Sequence, residues 1–158
     1  MNKPQNPDTL FYTSEGSGPA VVFIHGFLED HTMWNNFREI LANSCRVICV
    51  DLPGHGNSAL NVKPELEAYA AAVFKVLDKE QITTATVVGH SMGGYVALAM
   101  AELAKDRIGK LVLLNSTPFD DPEERKLKRQ QAIAVIEQDP ELFVKTVIPS
   151  LPSKRLSR

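Results

Sequence analysis

Between Thr84 and Ala104 the chain reads TATVVGHSMGGYVALAMAELA, with only Gly89-His90-Ser91 between a β-branched run and a run of small apolar residues. Residues 84–88 suit a strand, and residues 92–104 suit a helix that is apolar nearly all round and so deeply packed. The reversal between them falls on Gly89-His90-Ser91-Met92-Gly93. A turn this tight brings the strand end against the first helical turn. Glycines at 89 and 93 remove side chains that would collide there, and Gly94 allows still closer packing. A strand that feeds a helix directly is half of a βαβ unit, which points to a parallel sheet.

The rest of the chain repeats that alternation. Residues 20–24 (AVVFI), 46–50 (RVICV) and 110–114 (KLVLL) are further short apolar runs. They lack clean polar alternation, as strands covered on both faces do. Helical spacing appears at 32–43 through Met33, Phe37, Ile40 and Leu41, with Thr32 as the expected N-cap. It appears again at 64–80 through Leu66, Tyr69, Ala70, Val73 and Leu77, with Pro64 in the first turn. The expected fold class is α/β, a parallel-rich sheet flanked by helices on both faces. Ligand chemistry then belongs at the carboxyl ends of the strands. His25-Gly26-Phe27, the stretch Asp51 to Ser58 and the stretch Gly89 to Gly93 all fall there.

Residues 119–150 change character. Asp120 or Asp121 is expected to cap a helix that has Pro122 in its first turn and continues as EERKLKRQQ. Ile133, Ile136, Leu142, Phe143, Val144 and Val147 suggest a helical pair interrupted at Pro140. The charged stretch reads as a solvated helix face, and residues 151–158 as an unstructured tail. The expected division is therefore 1–118, 119–150 and 151–158.

Composition limits the function classes. Lys and Arg number 17 and Asp and Glu 19, a net charge of −2. No strong field draws the chain to nucleic acid or to an anionic membrane. No apolar run approaches the ~20 residues of a membrane span. The two cysteines, Cys45 and Cys49, would stand about 13 Å apart on a strand, too far for a disulfide. Reduced thiols and an N-terminus without an apolar core favour the cytoplasm over secretion.

The chemistry concentrates at Ser91. Gly89-His90-Ser91-Met92-Gly93 reads G-x-S-x-G between a strand and a helix, the context of a nucleophile elbow. There the serine Oγ stands at the sheet edge above a helix N-terminus, where free N–H groups stabilise negative charge. The bland alternative is a Gly/Ser turn. His25-Gly26-Phe27 ends the first apolar run. It reads as one half of an oxyanion hole, with the backbone N–H of Phe27 and that of Met92 converging on a carbonyl oxygen. His25 reads as a side chain bonding nearby backbone, or with Gly26, His90 and Trp34 as part of a substrate-binding surface. Trp34 reads as a packing residue ahead of a substrate-pocket wall. Asp51-Leu52-Pro53-Gly54-His55-Gly56-Asn57-Ser58 reads as a multi-turn loop. Asp51 and His55 resemble an acid–base pair, yet in this elbow the acid and histidine follow the serine in sequence.

Taken together, VVFIHGF, RVICVDLPGHGNS and VVGHSMGGYVALAMA resemble the α/β-hydrolase superfamily. They are closest to the small esterase, lipase-like and C–C-bond hydrolase group with HGF, DxPGHGxS and GHSMGG. The resemblance covers residues 10–118, and residues 119–150 look like the start of that group's helical cap. It implies Ser91 as nucleophile, Phe27 and Met92 as oxyanion-hole amides, and acyl transfer from a small-molecule acyl substrate such as a carboxylic ester to water. It implies no metal or organic cofactor. The group carries its acid and histidine after the cap. Here the four histidines are His25, His31, His55 and His90, all before Ser91, and Asp120 and Asp121 are remote substitutes for the acid. The expectation is a C-terminally truncated hydrolase, nearly inactive alone, with the last strands missing. The KLVLL strand would then be an exposed edge prone to self-association. Two alternatives stay open: an inactive binding or interaction module, and a chain completed by a partner subunit.

Overall fold

The computed structural model describes residues 9–150. The expected tail at 151–158 and nearly all of the N-terminal stretch lie outside them. The chain divides into two compact units, Met1–Pro118 and Phe119–Arg158.

In the first unit five strands form one sheet: β1 (Tyr12–Glu15), β2 (Ala20–Ile24), β3 (Arg46–Val50), β4 (Ala85–His90) and β5 (Ile108–Leu114). Their order is β1-β3-β2-β4-β5. β1 runs antiparallel to β3, and every other pair is parallel. The four apolar runs thus form four adjacent parallel strands. Successive residues alternate between two cores. Val22, Ile24, Ile48, Val50 and Val87 face helices α2 (Leu66–Lys79) and α3 (Met92–Leu103). Phe23, Val47, Cys49 and Val88 face the opposite side, where they pack with Trp34. β2, β3 and β4 are covered on both faces, which is why they need no polar alternation. β5 departs from that expectation: none of its residues is buried and Val112 is exposed, because it is an edge strand of the described sheet. Cys45 and Cys49 are free thiols.

Three local expectations are corrected. The stretch 32–43 is a 3-10 turn (His31–Trp34) followed by the short helix α1 (Asn35–Leu41). Its cap is Asp30, whose Oδ1 accepts Thr32 N–H at 2.8 Å, not Thr32 itself. Phe37 and Ile40 stay more than half exposed, because Trp34 supplies the burial on this side. β1 has no apolar pattern in YTSE. It is held by its antiparallel ladder to β3 and by Glu80, which accepts from Tyr12 Oη at 2.6 Å and from Ser14 Oγ at 2.9 Å and pairs with Arg46 of β3. This burial and the Glu80 carboxylate push the Tyr12 phenol up to about 12.

The second unit contributes α4 (Glu123–Gln138) and α5 (Pro140–Ser150). Pro122 occupies the N-cap position of α4, one residue before the expected place. Asp121 caps no amide; it pairs with Arg125 and Arg129. α4 buries no residue and carries Lys–Glu pairs one turn apart, as a solvated helix does. Pro140 opens α5, and Asp139 Oδ1 accepts Leu142 N–H at 2.9 Å.

Candidate active site

The chain leaves β2 toward β3 on one side and later enters β4 on the other. The carboxyl ends of β2 and β4 therefore flank the point where strand order reverses, the place where open α/β sheets bind ligands. Ile24 is paired with Gly89 there. Residues 25–28 and 90–92 consequently emerge side by side.

Ser91 adopts φ +49° and ψ −114° as the N-cap of α3. A non-glycine residue avoids this region, and such strain persists only where the surroundings over-determine it. The surroundings here do so. Ser91 N–H donates to Leu114 O at 2.9 Å, and Ser91 O accepts Gly94 N–H at 3.0 Å. A Cβ on Gly89 would overlap the backbone of Gly93 and Gly94, and one on Gly93 would overlap the carbonyls of Ile24 and His25. The motif glycines thus mark real backbone-to-backbone contacts. The Met92 side chain packs at the edge of the larger core.

The loop after β2 is fixed from below by His25. Its ring is fully buried; Nδ1 lies 2.7 Å from Gly26 O, and Nε2 accepts Leu52 N–H at 2.9 Å. The carbonyl can only accept, so Nδ1 carries the proton and the ring is neutral. In a planar trans peptide the carbonyl and the following N–H point in opposite directions. With Gly26 O drawn to His25, the Phe27 N–H points away from the buried ring. Among the described residues no protein acceptor takes the N–H of Phe27 or of Met92. Phe27 and Leu28 are about half exposed beside these amides, with Leu28 at φ +61°.

A carboxylate that the sequence did not single out completes the loop. Glu29 Oε2 accepts Gly26 N–H at 2.7 Å and a proton from His90 Nδ1 at 2.8 Å. Gly26 is enclosed as a result. A Cβ there would stand 2.6 Å from Glu29 Oε2, 3.0 Å from His90 Nδ1 and 3.2 Å from Ser91 Cβ. The only sequence signal was an acidic residue three positions after a glycine.

Asp51 and His55 do not pair. Asp51 is fully buried and its carboxylate is a loop staple. Oδ1 accepts the backbone N–H and the ring Nδ1 of His31 at 2.7 and 2.8 Å, and Oδ2 accepts Asn57 N–H at 2.8 Å. Ser58 Oγ donates to Asp51 O and accepts Phe11 N–H. Gly56, at φ +50°, lies against the Asp51 carboxylate, where a Cβ would overlap it. Asp30, His31 and Asp51 bring one potential metal-ligand atom each within 4.8 Å of one another. The oxygens already have protein donors, Thr32 for Asp30 and His31 for Asp51.

The structure thus brings Gly26, Phe27, His90, Ser91 and Met92 together and buries the other two expected substrate contacts, His25 and Trp34, the latter edge-on to the His90 ring. His25 has no ring nitrogen left for a substrate. Trp34 is 1% exposed and packs on Phe23, 4.8 Å between ring centres. Among the described residues none of the four histidines is hydrogen-bonded to Ser91.

Residues 19–154 match the family model of the alpha/beta hydrolase fold. The chain belongs to the alpha/beta hydrolase family. Among relatives, a pimeloyl-[acyl-carrier protein] methyl ester esterase of Methylococcus capsulatus is 38% identical over 109 residues, 69% of this chain and 41% of that protein. A dihydrolipoyllysine-residue acetyltransferase component of the acetoin cleaving system of Pseudomonas putida is 42% identical over 100 residues, 63% of this chain and 27% of that one. Among solved structures, a thermophilic esterase from Thermogutta terrifontis superposes with a TM-score of 0.78 at 33% identity, covering 89% of this chain and 53% of that one. The chain therefore spans about half the length of this alpha/beta hydrolase structure, and less of either protein relative.

Proposed function

We propose that Ser91 is the nucleophile of an esterase-like serine hydrolase site that takes a small-molecule acyl substrate, with a carboxylic ester as the first choice. The observation that carries this reading is the strained Ser91, set where the β4 end, the α3 N-terminus and the Phe27 loop meet. In this reading Ser91 Oγ attacks the carbonyl carbon, and the carbonyl oxygen takes up the charge. The N–H groups of Phe27 and Met92 receive that oxyanion. The alcohol leaves with a proton, and water then releases the acid from the acyl-enzyme. No metal or organic cofactor is needed. The relatives named as esterases support the ester, and the acetyltransferase relative supports acyl chemistry more broadly.

Ser91 has no histidine bonded to it among the described residues, so the proton it loses goes to water. Removing the histidine from a serine protease triad costs about 2 × 10⁶ in kcat. The 158-residue chain is accordingly expected to be a very slow hydrolase. We further assign α4 and α5 to the beginning of a helical cap, and the two free thiols to a cytoplasmic setting. Hydrolysis of p-nitrophenyl acetate tests the chemistry. A slow rate that disappears in Ser91→Ala supports the reading, and equal rates in both chains contradict it.

A second reading is favoured by β5, which has no partner strand on its outer edge among the described residues. Such an edge pairs readily with another chain. A second copy bound there would extend the sheet. Sedimentation of the purified chain as a discrete dimer supports this, and a monomer at all concentrations rejects it.

A further inference from the structure

We propose that Glu29 is the positioning residue of this site, tying the Gly26–Leu28 loop to the residue that precedes Ser91. The consequence for catalysis rests on the reading of Ser91 as nucleophile; the tie itself rests on geometry. One oxygen, Oε2, accepts Gly26 N–H at 2.7 Å and His90 Nδ1–H at 2.8 Å, the second from a residue 61 positions after Glu29. With Nδ1 turned to Glu29, the other ring nitrogen of His90, Nε2, lies 3.4 Å from Asn115 Nδ2. A single chain of polar contacts thus runs across the loops that follow β2, β4 and β5.

Backbone strain falls on the same loops. Among the described residues four non-glycine residues have positive φ, and three of them are Leu28, Ser91 and Asn115. Strained conformations of this kind need surroundings that hold them. The Glu29–His90–Asn115 contacts supply a hold common to all three loops. They also decide which amide is left for an oxyanion. Glu29 takes the Gly26 N–H and leaves the Phe27 N–H without a protein acceptor among the described residues, already oriented by His25 through the Gly26 carbonyl. Glu29 touches no reacting atom in this arrangement. It acts by keeping the Phe27 amide in register with Ser91, where a displacement of about 1 Å can cost ~10²-fold in rate.

The test compares the full chain with Glu29→Leu and Glu29→Gln, reading the Gly26 amide and the His90 ring nitrogens by NMR. The rate of Ser91 modification by a fluorophosphonate is followed in parallel. Glu29→Leu removes the acceptor. The Gly26 amide proton is expected to move upfield, the His90 nitrogens to shift, and labelling to slow by about tenfold or more. Glu29→Gln keeps an acceptor oxygen; it is expected to shift the same signals less and to recover most of the labelling rate. It also guards against loss of the fold in the leucine variant. Unmoved Gly26 and His90 signals in both variants would overturn the tie. Moved signals with an unchanged labelling rate would overturn the positioning role. If Ser91→Ala labels as the parent does, the nucleophile reading fails separately, and the Gly26 and His90 signals still decide whether Glu29 ties the loop.

Discussion

His25 Nε2 accepts the Leu52 N–H at 2.9 Å, and this one contact fixes the protonation state of the ring. A proton on Nε2 would face the amide proton of Leu52 and break the link between the ends of β2 and β3. Burial holds the His25 pKa below its ordinary value, and neighbouring His55 adds to the effect, against the opposing pull of the Gly26 carbonyl, Asp51 and Glu29. The unfolded chain takes up a proton near pH 6.5, and the folded chain does so only at lower pH. Stability is therefore full above about pH 6.5 and is lost as the pH falls below it. Urea denaturation at pH 7.5 and 5.5 should show this loss, and His25→Gln should flatten it while lowering stability at both pH values.

Asp51 stands where substitution is expected to be most damaging outside the elbow. Its buried carboxylate accepts part-buried hydrogen bonds from the N–H groups of His31 and Asn57. Asp51→Ala removes both acceptors, at about 2 kcal/mol in total. Asp51→Asn keeps one acceptor and turns an amide donor toward the other N–H, so its loss should be smaller. Chemical denaturation of the two variants gives the ranking.

Strain at Ser91 predicts opposite effects on stability and chemistry. Glycine adopts φ +49° without penalty, whereas alanine does not. Ser91→Gly should stabilise the chain by roughly 1 kcal/mol, and Ser91→Ala should stay within about 0.5 kcal/mol of the parent. Both should abolish covalent labelling. Thermal melts beside the labelling assay check the pair.

Gly93 carries the close approach of α3 to β2. Gly93→Ala pushes a methyl group into the Ile24 and His25 carbonyls, which are backbone and cannot rotate aside. The expected cost is about 3 kcal/mol or more, read as a lower urea midpoint or a loss of soluble chain.

The apolar runs of β2, β3 and β4 were legible as strands because burial on both faces leaves them few polar positions, whereas β5 keeps its apolar run without being buried. Gly89, Gly93 and Gly94 were legible as an elbow because their spacing serves backbone contacts. β1 was not legible: YTSE owes its place to its ladder with β3 and to Glu80, both far along the chain. Phe37 and Ile40 misled because α1 is too short to bury a full stripe, and Trp34 fills that core instead. Asp51 was readable as a turn residue, but its partner His31 lies 20 residues earlier. Glu29 was invisible for the same reason, since its value lies in a contact to His90 that only the completed sheet creates.

The central claim, that Ser91 is the nucleophile, is tested most directly by reacting the folded chain with a fluorophosphonate and mapping the adduct by peptide mass spectrometry. The account predicts slow formation of one adduct on Ser91 that is absent in Ser91→Ala. An adduct on another residue, or a folded chain that never acquires one at Ser91, would contradict it.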